Sequence, residues 1–448
     1  MCSRSPEDLT LPKSDKSISD NCRKCSEKAS VVLQAKFSYC RECFMEYFKH
    51  KFRATLGKTK IMKHGDKILV GFSGSASSLC LIDLIADSLK DGKKKKMMFE
   101  VNILFINERA AYPSNKEIKL CDLNDVNDIL KSYTNFKLYS TDLGAYLVDN
   151  INLDCDNLYE DASKVNEIQE IFSNFKTLTS KEDLLIKIRN NILFKVAHKM
   201  GCQKIFVAET SDHLAVNTIA NIAQGRGGQL SLDIGFCNDR SSDLLLLRPL
   251  QDCSRKEITY YNLFNHLNPT TSVSFSTKGD KYSSIQKLSE AFITDLQSTF
   301  PSTVLTVHAT GSKLSSAKSD EGNSECCLCQ GKIDERKLSL TADQASLISS
   351  LVSNLGPDKF DSKTLTPMKQ ELANISCKTS CLNNSCECIN SDGIDFNINL
   401  LLASLCYGCQ LILKDSKSIE QLPNNFLKQL QQNAQFNRMH EEIKTFLL

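Results

Sequence analysis

The sequence lacks several features that would place it in a familiar class. No apolar run approaches the length of a transmembrane helix, and the N-terminal segment has no apolar signal-peptide core, so we predict a cytosolic protein. The net charge is only +2, so any contact with nucleic acid must come from local patches. The GxxxxGK[ST] pattern of P-loop enzymes is also absent, which excludes that route to phosphate binding.

Cysteine is the informative part of the composition. Of the 448 residues, 20 are cysteine; four lie within 22–43 and nine within 326–409. In a reducing compartment such clusters indicate metal or sulfur chemistry rather than disulfides, and the length alone predicts roughly three domains. The predicted segments are a disordered tail (1–20), a zinc module with a basic helix (21–63), an α/β domain (64–308), a linker (309–325) and a cysteine-rich, zinc-ribbon-like and helical region (326–448).

Two C-x2-C pairs near the N-terminus predict a zinc site. Cys22 and Cys25 form the first pair, and Cys40 and Cys43 form the second. A short hairpin between them would bring four thiolates around one tetrahedral Zn²⁺. Four ordinary buried thiols are the alternative, which the closeness of the two pairs disfavours.

The C-terminal cysteines follow a less regular pattern. Cys326 and Cys329 form one C-x2-C pair, and Cys406 and Cys409 form another within CYGC, so together they predict a second zinc site. Four more cysteines lie between these pairs without zinc-like spacing, and we favour inert thiols over a further site. They are Cys377, Cys381, Cys386 and Cys388.

A basic stretch follows the N-terminal cysteines. Residues 49–63 contain six basic side chains and no acidic one. Contact with RNA phosphates is one interpretation, and a solvated helix face is the other. The aromatic residues between Phe44 and Phe52 are expected to pack the helix rather than stack on bases. The candidate RNA contacts are Lys49, Lys51, Arg53, Lys58, Lys60, Lys63 and, in the later GRGG segment, Arg226.

The segment Lys67–Lys90 organises the central region. It reads as a buried strand (Ile68–Phe72), a turn of small residues (Ser73–Ser78) and an amphipathic helix. Such a turn directs backbone N–H groups and the positive end of the helix dipole towards one point, which suits a phosphate.

Further apolar runs alternate with helical patterns after this segment. The alternation is typical of a doubly wound, mostly parallel α/β sheet, which binds ligands beyond the carboxyl ends of its strands. The later predicted strands are Val101–Ile106, Phe136–Tyr139, Ile205–Ala208 and Leu244–Leu247, and the predicted helices include Ile118–Tyr133, Leu184–Met200, Leu214–Ala223, Tyr282–Phe300 and Ile419–Leu448.

The turn SGSASS resembles the SGGxDS loop of the ATP pyrophosphatases, which have the PP-loop (adenine nucleotide alpha hydrolase-like) fold. Ser75 replaces the second glycine and Ser77 replaces the aspartate. With cysteine pairs on either side, the pattern resembles the cytoplasmic tRNA 2-thiolation protein 2 family. The segments that carry this likeness are 22–58, 67–78, 219–230, 248–258, 288–304, 325–333 and 406–409.

This resemblance implies a function and partners. The family member pairs with a catalytic paralogue, tRNA 2-thiolation protein 1, as a heterodimer. The complex takes sulfur from a thiocarboxylated ubiquitin-like carrier and places it at position 2 of the wobble uridine (mcm5s2U) in tRNAs for Lys, Glu and Gln. Uridine O2 must leave as an adenylate and sulfur must replace it, so ATP, magnesium and sulfur-handling cysteines are needed somewhere in the complex. No membrane partner is implied.

Several catalytic features of the relatives are missing here. Asn190 stands where they have a cysteine, and no cysteine follows the Arg-Gly of Gly225–Asp233, which leaves Cys237 as the nearest thiol. Their GHNADD-like turn is replaced by ETSDHL (Glu209–Leu214). Because an amide cannot replace a thiolate as nucleophile or iron ligand, we predict a non-catalytic, tRNA-binding subunit without an iron–sulfur cluster. Backbone phosphate contacts remain possible at Ser73, Gly74, Ser75, Ser77 and Ser78.

Two other functions stay open at this stage. The chain could itself be an ATP-dependent adenylating sulfurtransferase of tRNA, or it could be a zinc-dependent RNA-binding scaffold outside thiolation. The sequence alone does not decide whether ATP binds or how the C-terminal cysteines pair.

Overall fold

A computed structural model defines most of the chain. It describes residues 21–34, 36–90, 99–112, 123–133, 135–149, 162–240, 243–270, 279–314, 325–333 and 398–446, with a few isolated positions. The predicted tail and the four irregular cysteines between 377 and 388 lie outside the described residues. The chain divides into two compact units, one formed by 1–333 with 405–448 and the other by 334–404. The first unit carries all the features below except one short helix, Ile398–Ala403.

The N-terminal module is a hairpin followed by a long helix. Strands β1 (Val31–Leu33) and β2 (Phe37–Tyr39) pair antiparallel, and helix α1 (Arg41–Lys58) follows. The apolar face of α1 is fully buried in the same core as the central sheet, and its aromatic members pack there as predicted. This face consists of Phe44, Phe48, Phe52 and Leu56.

A six-stranded sheet forms the centre of the molecule, in the order β5-β4-β3-β6-β8-β7. All adjacent pairs are parallel except β7 with β8, which confirms the predicted doubly wound, mostly parallel α/β fold. The central strands β3, β4 and β6 are mostly buried, since helices cover both faces of such sheets, whereas the edge strand β5 is partly exposed. They are β3 (Lys67–Phe72), β4 (Glu100–Asn107), β5 (Lys137–Asp142), β6 (Lys204–Phe206), β7 (Cys237–Asn238) and β8 (Leu245–Leu247).

Helices alternate with these strands and extend to the C-terminus. None in the described ranges has the length and apolarity needed to cross a bilayer. They are α2 (Ala76–Lys90), α3 (Leu123–Leu130), α4 (Ala162–Asn174), α5 (Leu178–Lys199), α6 (Ser211–Ala223), α7 (Leu230–Ile234), α8 (Arg255–Phe264), α9 (Ile285–Thr299), α10 (Thr303–Gly311), α11 (Ile398–Ala403), α12 (Tyr407–Lys414) and α13 (Asn424–Phe446), with α11 in the second unit.

The element boundaries differ from the prediction in places with identifiable causes. Helix α5 begins at Leu178 rather than Leu184, because the Thr177 side chain caps it by accepting the Ser180 N–H. Helix α2 begins at Ala76, so the turn is shorter than Ser73–Ser78. The prediction omitted α4 and α10; Pro301 ends α9 as expected, but the chain re-enters a helix two residues later.

Within the first unit, the C-terminal segment packs against α5 and the residues before it. Asp415, at the end of α12, accepts the Thr177 N–H at 2.9 Å and its hydroxyl at 2.7 Å. Phe426 of α13 contacts the Tyr146 ring at a centroid distance of 5.8 Å, and Lys195 of α5 donates to Gln429 Oε1 at 3.3 Å. Residues of α12 and α13 therefore pack against α5, its N-cap and the segment around Tyr146.

Candidate functional site

A cavity of about 300 Å³ lies at the carboxyl ends of β3, β4, β6 and β8. This is where open parallel sheets bind ligands. The serine turn after β3 forms one wall, and α5 contributes Arg189 and Asn190 to another. The start of α6, including His213, and the start of α9 close the remaining sides. The sequence-predicted phosphate loop and Asn190 thus face one pocket.

Hydroxyl groups fill the serine turn. Ser73 Oγ donates to Ser75 Oγ at 3.0 Å, Ser75 Oγ donates to Ser78 Oγ at 3.2 Å, and Ser78 Oγ donates to the Ser75 carbonyl at 2.9 Å. Ser77, which the sequence resemblance sets in place of an aspartate, is buried with its Oγ 3.4 Å from Ser75 Oγ. The side chains of this turn therefore satisfy one another and present no carboxylate to the cavity.

Hydrogen bonds also join the serine turn to α8 and to the chain that follows α8. Gly74 adopts a φ of +75°, which suits glycine, and its carbonyl accepts the Thr270 N–H at 2.9 Å and the Thr270 hydroxyl at 3.1 Å. Asn262 Nδ2 donates to the Ala76 carbonyl at 2.9 Å. These bonds hold the turn in one conformation.

Ion pairs bridge the elements around the cavity. Arg189 of α5 pairs with Glu108, and Arg248 pairs with Glu209 of the ETSDHL turn. Glu290 of α9 contacts both Arg255 at 3.3 Å and Lys287 at 3.2 Å. Burial raises the pKa of the Glu290 carboxyl group, but the charges of Arg255 and Lys287 lower it by more. The net shift of this pKa is therefore downward. An anion entering the cavity must compete with carboxylates for these cations.

The four N-terminal cysteines converge. Their sulfurs all lie within 4.8 Å of one another, and Cys25 Sγ is 3.4 Å from Cys40 Sγ. The predicted hairpin, β1–β2, joins the two pairs, and Cys40 directly precedes α1. Four thiols at this spacing suit the tetrahedral thiolate coordination of Zn²⁺.

The four C-terminal cysteines of the two C-x2-C pairs also converge. Cys326, Cys329, Cys406 and Cys409 have sulfurs within 4.8 Å of one another, and the Cys329–Cys406 distance is 3.7 Å. The turn of the first pair is held to the fold by amides: Asn191 Nδ2 of α5 donates to the Leu328 carbonyl at 2.9 Å, and Asn433 Nδ2 of α13 donates to the Cys327 carbonyl at 3.0 Å.

Comparison with known proteins assigns the chain to a family. The family model for "Cytoplasmic tRNA 2-thiolation protein 2" matches residues 284–411. The protein of that name from Xenopus tropicalis is 31% identical over 97% of this chain and 95% of its own length. The Danio rerio protein is 28% identical over 96% of this chain and 95% of its own. The chain belongs to the cytoplasmic tRNA 2-thiolation protein 2 family.

A solved structure supports the fold assignment. The U34-tRNA thiolase NcsA from Methanococcus maripaludis, determined with its [4Fe-4S] cluster, superposes with a TM-score of 0.50 at 16% identity. The match covers 72% of this chain and 99% of the thiolase. At this identity the likeness shows the fold alone.

No cysteine is among the described residues that line the cavity of this family member. Asn190, which the sequence resemblance sets in place of a cysteine, faces the cavity. Cys237 lies on the edge strand β7, and burial raises the pKa of its thiol, with the Asp239 charge adding to the effect. A thiol with a raised pKa forms less thiolate and is a weaker nucleophile at neutral pH.

The acidic residues of ETSDHL have structural partners. Glu209 pairs with Arg248, and Asp212 Oδ2 accepts the Arg255 N–H at the start of α8, at 2.7 Å. Thr210 caps α6 by accepting the His213 N–H. These contacts give the turn a role in joining α6, β8 and α8.

The basic candidates divide into two groups. Four have intramolecular carboxylate partners: Lys49 and Arg53 contact Asp87, Lys51 contacts Glu257, and Arg226 contacts Asp183. The Arg226 side chain is only 6% exposed. The other three are exposed at the end of α1 and in the loop after it; they are Lys58, Lys60 and Lys63.

Acidification is expected to destabilise the protein through His213. Burial, with the Arg255 charge, lowers its pKa from 6.5 to about 3, although Glu209 and Asp212 oppose the shift. The folded protein keeps this ring neutral, whereas the unfolded chain protonates it below pH 6.5. The contribution of His213 to the free energy of unfolding is therefore fully present above pH 6.5 and is lost as the pH falls towards 3. At pH 5 the loss amounts to about 2 kcal/mol.

Urea unfolding at pH 7 and pH 5 measures this contribution. We expect His213→Gln to lose less stability between the two pH values than the unsubstituted chain. His64→Gln, at an exposed position, serves as the matched control and should retain the full pH dependence. Equal pH dependence in the His213 variant and the unsubstituted chain would contradict the assignment.

Proposed function

We propose that this chain is the non-catalytic subunit of the cytosolic tRNA 2-thiolation complex. It would pair with a catalytic paralogue, tRNA 2-thiolation protein 1, bind tRNA and stabilise its partner. The complex would place sulfur from a thiocarboxylated ubiquitin-like carrier at position 2 of the wobble uridine (mcm5s2U) of tRNAs for Lys, Glu and Gln. Family membership supports a role in tRNA 2-thiolation. The lack of a thiol among the described residues that line the pocket supports a non-catalytic role for this subunit.

The absence of a thiol from the described cavity lining carries the non-catalytic assignment. Replacement of uridine O2 by sulfur requires a sulfur nucleophile held beside the activated base. At the two diagnostic positions this chain has the hydroxyl of Ser77 and the amide of Asn190, neither of which forms a thiolate or an anionic metal ligand. Backbone N–H groups of the serine turn suit a phosphate, and that contact needs no carboxylate.

We propose that both cysteine clusters hold zinc. In each cluster four sulfurs lie within 4.8 Å, and the described residues place no imidazole or carboxylate oxygen in either set. Four thiolates and no open ligand position are typical of a structural zinc site. When bound, the metal would cross-link the two C-x2-C pairs of each cluster. An iron–sulfur cluster is not expected in this chain, and elemental analysis together with the visible spectrum distinguishes the two metals.

We place tRNA contact at the exposed lysines beyond α1. Lys58, Lys60 and Lys63 lack carboxylate partners among the described residues, and helix α1 separates them from the N-terminal cluster. Lysines at such positions bind RNA phosphates without reading sequence. The intramolecular pairs of Lys51 and Arg226 favour a stabilising role for those two side chains.

The assay that tests this proposal compares the chain alone, the paralogue alone and the heterodimer. Each is incubated with ATP, magnesium, a sulfur donor and tRNA, and 2-thiouridine is quantified. We expect no product from this chain alone and full activity only from the heterodimer. The variant Ser75→Gly plus Ser77→Asp restores the SGGxDS pattern and should still be inactive alone, because no described residue that lines the pocket carries a thiol.

Two results would contradict the proposal. Robust thiolation by the chain without its partner would assign catalysis to it. Unchanged 2-thiolation of wobble uridines in cells that lack the chain would remove it from the pathway and favour an RNA-binding scaffold instead.

A further inference from the structure

The carboxylates that line the cavity beyond the sheet are all engaged within the protein. The ion pairs described above occupy Glu108, Glu209 and Glu290. The fourth carboxylate among the described lining residues, Glu182, accepts the Ser284 hydroxyl at 2.9 Å. Magnesium that accompanies a nucleoside triphosphate is usually held by one or two carboxylates together with the phosphates. The cavity therefore offers no unengaged carboxylate for a magnesium–triphosphate complex.

One cation of the lining has no carboxylate partner in the part of the chain that the structure describes. This cation is Arg109, whose side chain is exposed and whose backbone N–H donates to Asn107 Oδ1 at 3.0 Å, just beyond β4. The other four lining cations form the ion pairs above, and His213 is neutral near pH 7 because its pKa is about 3. With five cations and four carboxylates, the lining carries one net positive charge, which suits a ligand with a single negative charge.

Two amide side chains in the lining have unused hydrogen-bonding groups. Asn190 of α5 and Asn217 of α6 both line the cavity, and neither side chain has a hydrogen-bond partner among the described residues. Each amide offers two N–H donors beside a carbonyl acceptor. This pattern complements the edge of a nucleobase, which presents donors and acceptors side by side.

Apolar side chains form much of the remaining lining. They include Leu104, Leu185 and Leu193. The buried Tyr112 ring also lines the cavity and is stacked on the Phe275 ring at a centroid distance of 4.6 Å. A volume of about 300 Å³ lies at the lower end of the range for small-molecule sites. The apolar wall and this volume fit one base and its sugar.

The serine turn provides a place for one phosphate group. The backbone N–H groups of Ala76 and Ser77, in the first turn of α2, have no acceptor among the described residues. The Ser78 N–H is already engaged by Ser75 Oγ at 3.4 Å. Unengaged N–H groups at the start of a helix bind phosphate without a carboxylate or a metal.

We propose that the cavity binds a single nucleotide without a divalent cation, with the base against Asn190 and Asn217 and the phosphate at the serine turn. Arg109 supplies the balancing charge. A free mononucleotide and one unit of an RNA strand share this chemistry, and the single charge of a phosphodiester matches the lining. The inference deepens the proposed tRNA-binding role and rests on it for the RNA source.

The test titrates the full-length chain by isothermal titration calorimetry, with and without magnesium. The probes are the nucleoside, the monophosphate and the triphosphate of uridine and of adenosine. We expect the monophosphate of at least one series to bind and magnesium to leave its affinity unchanged. The triphosphate should bind no more tightly than the monophosphate, because its additional charges must compete with the lining carboxylates for cations.

Two variants assign the binding to this cavity. Arg109→Gln should weaken binding of the monophosphate about 10-fold and reduce its salt dependence, since it removes the balancing charge. Asn217→Ala should weaken the same binding about 5-fold and leave its salt dependence unchanged. Two matched controls should bind as the unsubstituted chain does. They are Asn221→Ala, one turn later on α6, and Lys137→Gln, exposed at the start of β5; both lie outside the lining.

Competition identifies the source of the nucleotide. If an RNA strand supplies it, a short oligouridylate, an oligoadenylate or tRNA should displace the bound monophosphate. If a free mononucleotide supplies it, these strands should leave the monophosphate in place. In that case any tRNA bound at Lys58, Lys60 and Lys63 occupies a separate surface.

Three results would overturn the inference. The first is that neither monophosphate binds the folded chain. The second is that the folded Arg109→Gln and Asn217→Ala variants both bind as the unsubstituted chain does. The third is that magnesium makes a triphosphate bind more tightly than the monophosphate. The thiolation assay is scored separately, so activity that requires the heterodimer would still support the proposed function if the nucleotide site failed.

Discussion

Replacement of Cys406 and Cys409 by serine is expected to remove one of two zinc equivalents and to release the C-terminal helices from α5. A structural zinc site contributes an apparent free energy of about 10–16 kcal/mol at pH 7, which matches the 5–15 kcal/mol stability of a whole domain. Without the metal, α12 and α13 retain their packing contacts and a small number of hydrogen bonds, among them those made by Asp415, Gln429 and Asn433. We therefore expect a locally unfolded C-terminus.

Elemental analysis and limited proteolysis measure these two effects. The variant should hold one zinc per chain and be cleaved within residues 405–446 at least 10-fold faster than the unsubstituted protein. Cys22→Ser plus Cys25→Ser should lose the other equivalent and leave the C-terminus resistant. Cys202→Ala, at a buried thiol outside both clusters, should retain both metals. Two zinc equivalents in the Cys406/Cys409 variant would refute the C-terminal site.

Asp183→Ala is expected to be among the most destabilising single substitutions in the α/β unit. The Asp183 and Arg226 side chains are each only 6% exposed, and Asp183 Oδ1 also accepts Gln286 Nε2 at 2.8 Å. Removal of the carboxylate leaves the Arg226 charge buried and unpaired, which costs about 3–5 kcal/mol in comparable pairs. Urea unfolding followed by circular dichroism should show a correspondingly lower midpoint.

Glu290→Ala is the matched control for that measurement. Glu290 contacts two cations, and Asp183 likewise contacts two donors. The Glu290 side chain, however, is 25% exposed. Water can solvate Arg255 and Lys287 after the change, so we expect a loss of no more than about 1 kcal/mol. If Asp183→Ala is no more destabilising than Glu290→Ala, burial does not govern the strength of the Arg226 pair.

The central sheet and both cysteine clusters were accessible from sequence because their signals are local. Continuous apolar runs such as Ile68–Phe72 report buried parallel strands, and a C-x2-C pair carries its geometry within four residues. Helix α4 is not predicted because its sequence, ASKVNEIQEIFSN, is mostly polar. Its few apolar residues can be assigned to a buried face only when the surface that they cover is known.

The basic stretch shows what local patterns do not contain. In sequence, Lys49, Lys51 and Lys58 look equivalent. In the fold, Lys49 reaches Asp87 of α2 and Lys51 reaches Glu257 of α8, while Lys58 remains exposed. The partners are 38 and 206 residues away along the chain. A charge pattern alone therefore cannot separate cations that stabilise the fold from cations that are available to RNA.

The late return of the chain to α5 has a consequence for biosynthesis. Helix α5 ends at Lys199, whereas α13, which covers it through Phe426 and Gln429, begins at Asn424. At typical translation rates of 5–20 residues per second, roughly 10–50 s separate the emergence of these helices from the ribosome. During that interval the apolar surface around Tyr146 is uncovered on the nascent chain. The α/β unit therefore completes its folding only after α13 has emerged, and chaperones have a defined surface to protect until then.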